Sequence, residues 1–156
     1  MITILIPNRI KSQMENALNT AGSSEIGGIL MGEHVAENVF RITEITIQKR
    51  GGSFASFVRV VEGILEPMKR FFHITGHNYR IFNYLGEWHS HPMFSLLPSS
   101  RDQKTMRELV NDPSVGANFA VLITVKLNAG HLQGLATVFV PGGKTFSGHL
   151  TQEEDS

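Results

Sequence analysis

The pattern of hydrophobic and polar positions predicts strands and helices that alternate along the chain. Residues 2–6 form a β-branched run that is typical of a strand. After Pro7, which suits the start of a helix, apolar residues recur on one helical face up to Gly22, where a helix usually stops. Residues 25–32 (EIGGILMG) indicate a strand that is unusually rich in glycine. Glycines inside a strand often mark the close approach of another backbone or of a ligand.

The middle of the chain predicts a second set of elements. A strand over residues 39–48 changes its inward-facing parity near Thr43 and Glu44, which indicates a β-bulge there. A helix is predicted from Pro67 to Gly76, whereas the segment from residue 57 up to Pro67 stays ambiguous. The remaining predicted elements are a strand over 79–88, a helix over 100–110, strands over 117–126 and 132–140, and a turn at 128–130 between the last two. This mixture predicts an α/β (α+β) domain in which helices cover a mixed sheet.

Composition narrows the class of protein. With 156 residues and 41% hydrophobic residues, we expect one domain over residues 1–151 and a short acidic tail over 152–156. Lys and Arg (14) balance Asp and Glu (14), so nucleic acid is not an expected partner. No long apolar run or secretory signal is visible, and we expect no membrane partner. Cysteine is absent, which excludes thiolate ligands and a cysteine nucleophile. A cytoplasmic location fits this composition.

Candidate metal chemistry begins with His89 and His91. Residues two apart on an extended backbone point to the same side, so both imidazoles can converge on one point. Ser99 and Asp102 follow, and their spacing also resembles a capping box at the start of a helix. Because Asp102 lies at helical spacing from Met106 and the apolar residues after it, the carboxylate continues the face that packs on the core.

Two imidazoles and one buried carboxylate form a sensible ligand set for a catalytic Zn²⁺ with an open fourth position. Zinc chemistry of this kind also needs a general base. Spacing does not choose among the 14 acidic residues, although Glu25, which begins the glycine-rich strand, is suggestive. Glu87 is interpreted as a structural residue that faces away from the histidines.

Together these residues resemble the signature of the JAMM (MPN-plus) zinc metalloproteases. The resemblance rests on the segments 25–32 and 86–92 (GEWHSHP), followed by Ser99 and Asp102 at the family's spacing. It implies a three-layer JAMM/MPN fold that is similar to cytidine deaminases. It also implies that His89, His91 and Asp102 are zinc ligands, with water as the fourth ligand. In the same way it implies that Glu25 is the general acid/base and that Ser99 stabilises the oxyanion or orients the water.

The family's substrate class implies the partners of this chain. These are the C-terminal tail of a ubiquitin-like protein and its conjugated target, joined by an isopeptide or peptide bond. The segment 86–92 also resembles bacterial JAMM proteins encoded beside ubiquitin-activating-like and ubiquitin-conjugating-like enzymes, including some in antiphage defence operons. Two alternatives stay open: a peptidase that processes a sulfur-carrier protein or its amino-acid adduct, and a non-catalytic MPN scaffold. The oligomeric state is not indicated.

Overall fold

The computed structural model describes residues 1–49, 61–113 and 116–154. The elements of this part of the chain are β1 (Thr3–Pro7), α1 (Asn8–Ala21), β2 (Ile26–Ala36), β3 (Val39–Ile45), β4 (Gln48–Lys49), α2 (Val61–Ile74), β5 (Phe82–Ser90), α3 (Ser100–Asn111), β6 (Ala120–Asn128), β7 (His131–Phe139) and β8 (Thr145–Glu153). Within these ranges no helix is both long and apolar enough to cross a membrane.

The strands form one mixed sheet in the order β3-β1-β8-β7-β6-β5-β2-β4. Strand β1 runs parallel to both β3 and β8, and β5 runs parallel to β6, whereas the other neighbours are antiparallel. Strand β3 also pairs with β2, so the sheet closes on itself. Strand β4 pairs with the start of β2. Parallel and antiparallel pairs in one sheet confirm the predicted mixed α+β domain.

The two faces of the sheet carry different helices. Along β6, Val121 and Ile123 belong to the apolar cluster that includes Ile10 and Met14 of α1. Their neighbour Leu122 belongs instead to the cluster formed with α3, and α2 packs on the same side against β2 and β5. Because successive residues of a strand point to opposite faces, α1 and the pair α2/α3 lie on opposite sides of the sheet. The predicted flanking of the sheet by helices is therefore confirmed.

Several local predictions are confirmed. Helix α1 ends at Gly22, whose φ of 62° is the left-handed conformation that favours glycine. On β3, Glu44 pairs with Met31 and Ile42 pairs with Gly32, so Thr43 is the extra residue of the predicted bulge. The hairpin between β6 and β7 turns at residues 129 and 130, both with positive φ, as a two-residue turn of this kind requires.

Other elements differ from the predictions. Helix α2 begins at Val61 and includes Pro67, because the packing of Phe71 against Ile29 and Met31 offsets the hydrogen bond that proline removes. Strand β8 was not expected, since its sequence carries few apolar residues. It continues to Glu153, inside the segment predicted as an acidic tail. The predicted features over residues 50–60 lie outside the described residues.

Candidate metal centre

Strand β5 positions the two histidines at its carboxyl end. His89 lies within β5, and His91 follows the strand but still donates its backbone N–H to Val125 O at 2.8 Å. The extended backbone therefore continues through both residues, and their rings stack with centroids 5.3 Å apart and planes 17° apart. Both side chains are buried, with at most 4% of the residue surface exposed. The pair thus presents two convergent imidazoles inside the protein.

Helix α3 brings Asp102 to the same point, and its first turn fixes the carboxylate. Ser99 is the N-cap: its Oγ accepts the Asp102 N–H at 3.0 Å, and Asp102 Oδ2 accepts the Ser99 N–H at 2.9 Å. This reciprocal capping box is the one that the spacing predicted. Asp102 also continues the buried face of Met106, Leu109 and Val110, as expected. The helix start and its apolar face together aim a carboxylate at the histidines.

The carboxylate of Asp102 lies at ligand-to-ligand distance from both histidines. Asp102 Oδ1 lies 3.4 Å from His89 Nε2, and Oδ2 lies 3.2 Å from His91 Nε2. Two ligand atoms about 2.0–2.1 Å from a tetrahedral Zn²⁺ are roughly 3.3 Å apart. Among the described residues, these three form the group of histidine and acidic side chains whose ligand atoms all lie within 4.8 Å of one another. They can hold a metal ion.

Hydrogen bonding determines which nitrogen of His91 faces the carboxylate. His91 Nδ1 lies 2.8 Å from Ser95 O, and a carbonyl oxygen only accepts, so Nδ1 carries the proton. In the neutral ring, Nε2 then presents a lone pair to the carboxylate of Asp102. Two acceptors at this distance require a positive charge between them, which is either a second proton on the imidazole or a metal ion. The donor set therefore fits a cation, as in other sites where a backbone carbonyl orients a histidine ligand.

The electrostatic environment keeps Asp102 ionised. Burial on its own raises the pKa of this carboxyl, but favourable interactions with the imidazoles of His89 and His91 outweigh burial, and the Ser99 backbone N–H adds to them. The pKa consequently lies well below its usual range. An ionised carboxylate is the form that binds a metal, and binding does not have to release a proton from it.

The register of the sheet places Glu25 beside this group. Gly27 of β2 pairs with His89, and stepping back two residues along the antiparallel pair puts Glu25 opposite His91. Residues opposite each other in a sheet share a face, so Glu25 lies on the face of the two imidazoles. The N–H of Ile26 donates to Ser90 Oγ at 2.9 Å, which ties the start of β2 to the segment between the ligands. Glu25 is half-buried and stands outside the ligand group.

Ser99 is exposed, and its backbone N–H contacts the Asp102 carboxylate. Its hydroxyl oxygen accepts a hydrogen bond from the backbone of Asp102, and a serine hydroxyl that accepts one hydrogen bond still has a proton to donate. Capping of α3 and donation to a ligand are therefore compatible at this residue. The structure thus brings all five residues singled out in the sequence to one region.

Two groups around the site were missed or misread in the sequence. Glu87 does not face away from the histidines: it is two residues from His89, and it pairs with Leu122, whose side chain packs with α3. Strand alternation is the signal that identifies this face. Glu87 is 3% exposed, and its charge adds to burial in raising the pKa of Tyr84. Thr124 donates a hydrogen bond to Leu96 O and so holds the loop after His91. Spacing could not identify Thr124, because it lies on β6, far from this loop in the sequence.

Fold and site together define an α+β domain with a buried His-His-Asp group suited to a metal ion. The chain belongs to the prokaryotic homologs of the JAB domain, whose family model matches residues 7–137. JAB-domain proteins are often metalloproteases. This membership confirms the resemblance to the JAMM/MPN family.

A solved structure supports the fold independently. The solution structure of protein DSY2949 from Desulfitobacterium hafniense is similar with a TM-score of 0.66 and 13% sequence identity, over 97% of this chain and 94% of that one. At this identity the likeness concerns the fold. No curated protein matches the sequence of the chain.

Proposed function

We propose that this chain is a zinc metallo-isopeptidase or peptidase that hydrolyses the bond after the C-terminal tail of a ubiquitin-like protein, in deconjugation or in maturation. The observation that carries the proposal is the buried group of His89, His91 and Asp102, in which each imidazole lies within 3.4 Å of the carboxylate, with Glu25 on the same face of the sheet. Zinc held there would supply a Lewis acid that polarises a carbonyl and lowers the pKa of water.

The residues around the ligands have separate tasks in this reaction. The carboxylate of Glu25 takes a proton from the attacking water and returns it to the leaving amine, so that one residue serves as base and then as acid. The Ser99 hydroxyl donates to the oxygen on which negative charge develops. Asp102, held by its capping contacts, keeps its negative charge directed at the ligand group. The His91 ring keeps its orientation through the Ser95 carbonyl.

The sheet offers a binding mode for an extended tail. In the described part of the chain, the sheet order ends at β4, which pairs with Ile26 and Gly27 directly after Glu25. A peptide strand added near this edge gains main-chain hydrogen bonds, and glycines allow two backbones to approach closely. A glycine-terminated tail, such as that of a ubiquitin-like protein, suits this edge because it places no side chain against the site.

Membership in the prokaryotic family and the sequence of the segment 86–92 support a proposal about the system in which this activity takes place. We propose that the chain acts with ubiquitin-activating-like and ubiquitin-conjugating-like enzymes in a bacterial conjugation system, of the kind that serves antiphage defence. Processing of a sulfur-carrier protein is the second candidate, because it would use the same chemistry at the same residues. The two candidates differ only in substrate.

A Glu25→Gln variant tests the proposed reaction. The zinc-loaded protein is offered a ubiquitin-like protein joined to a lysine ε-amine and, separately, a sulfur-carrier protein with a C-terminal extension. We expect Glu25→Gln to keep its zinc, measured by atomic absorption, and to lose at least about 100-fold in turnover, because general acid–base catalysis contributes about 10²–10⁴. Glu37→Gln, in an exposed turn, is the matched control and should behave as wild type.

The outcomes separate the candidates. Turnover by Glu25→Gln at the wild-type rate contradicts its role as base. Cleavage of only the sulfur-carrier substrate favours the second candidate. If the purified wild-type protein neither contains nor takes up zinc, that result contradicts the proposed enzymatic activity and favours a binding scaffold.

A further inference from the structure

The loop between His91 and Ser99 exposes three large apolar side chains next to the candidate metal centre. Met93 is 78% exposed, Phe94 44% and Leu97 69%. We call these three residues the apolar rim. The loop segment 92–98 (PMFSLLP) contains no charged residue. An exposed apolar group beside a site of chemistry is a candidate contact surface for a substrate.

Backbone hydrogen bonds hold the loop in place without the side chains of Met93 and Leu97. Backbone carbonyls of the loop accept three hydrogen bonds from outside it: Ser95 O from His91 Nδ1 at 2.8 Å, Leu96 O from the Thr124 hydroxyl, and Phe94 O from Lys126 Nζ at 3.3 Å. These contacts fix the path of the main chain and leave Met93 and Leu97 directed at solvent. Their apolar character is therefore free to serve a ligand.

The rim is continuous with the metal ligands. The ring of Phe94 lies against His91 with centroids 4.4 Å apart, and His91 stacks on His89 at 5.3 Å. The three rings form a row that runs from the buried ligand group to the surface. The other end of the loop is Ser99, the cap of α3. A polypeptide whose scissile bond reaches this site consequently lies beside the rim.

We propose that the apolar rim binds an aliphatic side chain of the polypeptide substrate next to the scissile bond and so determines specificity. This inference rests on the proposed function, because it takes the substrate to be a polypeptide. An aliphatic side chain is favoured over a charged one, because contact with an uncharged apolar surface would desolvate a charge without pairing it. Loss of one such contact typically costs about 10–200-fold in specificity.

Four quenched-fluorescent peptides test the rim. Each carries Gly-Gly joined to a lysine ε-amine, and leucine is exchanged for serine either before the glycines or beside the acceptor lysine. We expect the zinc-loaded wild type to cleave a leucine peptide with a kcat/KM about tenfold or more above its serine counterpart. Met93→Ser/Leu97→Ser should abolish this preference while keeping zinc content and Tm. Ile74→Ser/Phe146→Ser removes two exposed apolar side chains elsewhere and should keep the preference.

A binding measurement separates this inference from the proposed function. The same four peptides are titrated into zinc-loaded Glu25→Gln, with and without the two rim substitutions, and followed by fluorescence anisotropy. In one outcome, wild type cleaves no peptide, yet leucine peptides bind about tenfold more tightly than serine peptides and do so only when the rim is intact. The isopeptidase proposal then fails, whereas the inference that the rim binds an aliphatic side chain is supported. Equal affinity and equal cleavage of leucine and serine peptides, or a preference that survives the rim substitutions, overturns the inference.

Discussion

Asp102→Asn separates the two tasks of this residue. The amide oxygen of asparagine can still accept the Ser99 N–H, which the carboxylate accepts at 2.9 Å, so the start of α3 should remain capped. The amide carries no charge, however, and its NH₂ group cannot bind a cation. At pH 7 the metal-free variant should be less stable than wild type, because the interactions that hold the pKa of Asp102 below its usual range stabilise the folded state and are lost with the charge.

The magnitude follows from linkage between binding and folding. At a free zinc concentration 100 times the wild-type Kd, bound zinc stabilises the native state by about 2.7 kcal/mol. For a domain of this size, 1 kcal/mol corresponds to roughly 2–4 °C, so the wild-type Tm should rise by about 5–10 °C. If the substitution weakens binding about 100-fold, the same zinc concentration gives only about 0.4 kcal/mol, or roughly 1–2 °C.

Differential scanning calorimetry in a zinc buffer, with and without the metal, measures both effects. Asp112→Asn, at the other end of α3, is the matched control and should keep the full zinc-dependent rise. A zinc-dependent rise in Asp102→Asn equal to that of wild type would show that Asp102 is not a ligand. A metal-free Asp102→Asn variant as stable as wild type at pH 7 would contradict the stabilisation of the buried charge.

Three further predictions concern the surroundings of the site and the closure of the sheet. Ser99→Ala should lower the free energy of unfolding by about 1 kcal/mol, because the first turn of α3 loses its cap. Thr124→Val should cost about 1–2 kcal/mol and weaken zinc binding about tenfold, because the Leu96 carbonyl loses its donor and the loop that orients a ligand is released. Arg41→Met should cost roughly 1 kcal/mol at pH 7. The stability difference between Arg41→Met and wild type should shrink as the pH falls below about 4.5. Arg41 lowers the pKa of Glu153 from 4.5, and the Glu153 carboxylate loses its charge in acid.

Urea unfolding of each variant checks these values, and zinc titration adds the second readout for Thr124→Val. Ser100→Ala and Thr124→Ser are the matched controls, and both should stay close to wild type. Unchanged stability in Ser99→Ala would contradict the capping contact. A stability difference for Arg41→Met that stays constant from pH 7 to pH 3 would mean that Glu153 does not contribute through its charge.

The sequence predicted the ligand group because its geometry is local. Strand alternation places His89 and His91 on one side, and helical periodicity places Asp102 on the face of Met106, so both elements aim at the same space. The start of α3 was equally local, since a capping box involves residues only three apart. These features need no knowledge of the rest of the chain.

Features that depend on distant parts of the chain could not be predicted in the same way. The position of Glu25 follows from the pairing of Gly27 with His89, 62 residues later, and spacing alone left it as one of 14 acidic residues. Strand β8 has a weak hydrophobic pattern and is held by its neighbours β1 and β7 and by the pairing of Glu153 with Arg41. Helix α2 continues through Pro67 because tertiary packing outweighs local propensity.

The pairing of β1 with β8 has a consequence for how the protein reaches its native state during synthesis. Residues 3–7 leave the ribosome well before one of their two neighbouring strands, 145–153. Strand β1 must therefore wait, incompletely paired, until β8 has been synthesised, and so large a sequence separation slows folding. A chain truncated before β8 would leave β1 with an open edge, and strand-to-strand aggregation is the expected fate of such a fragment.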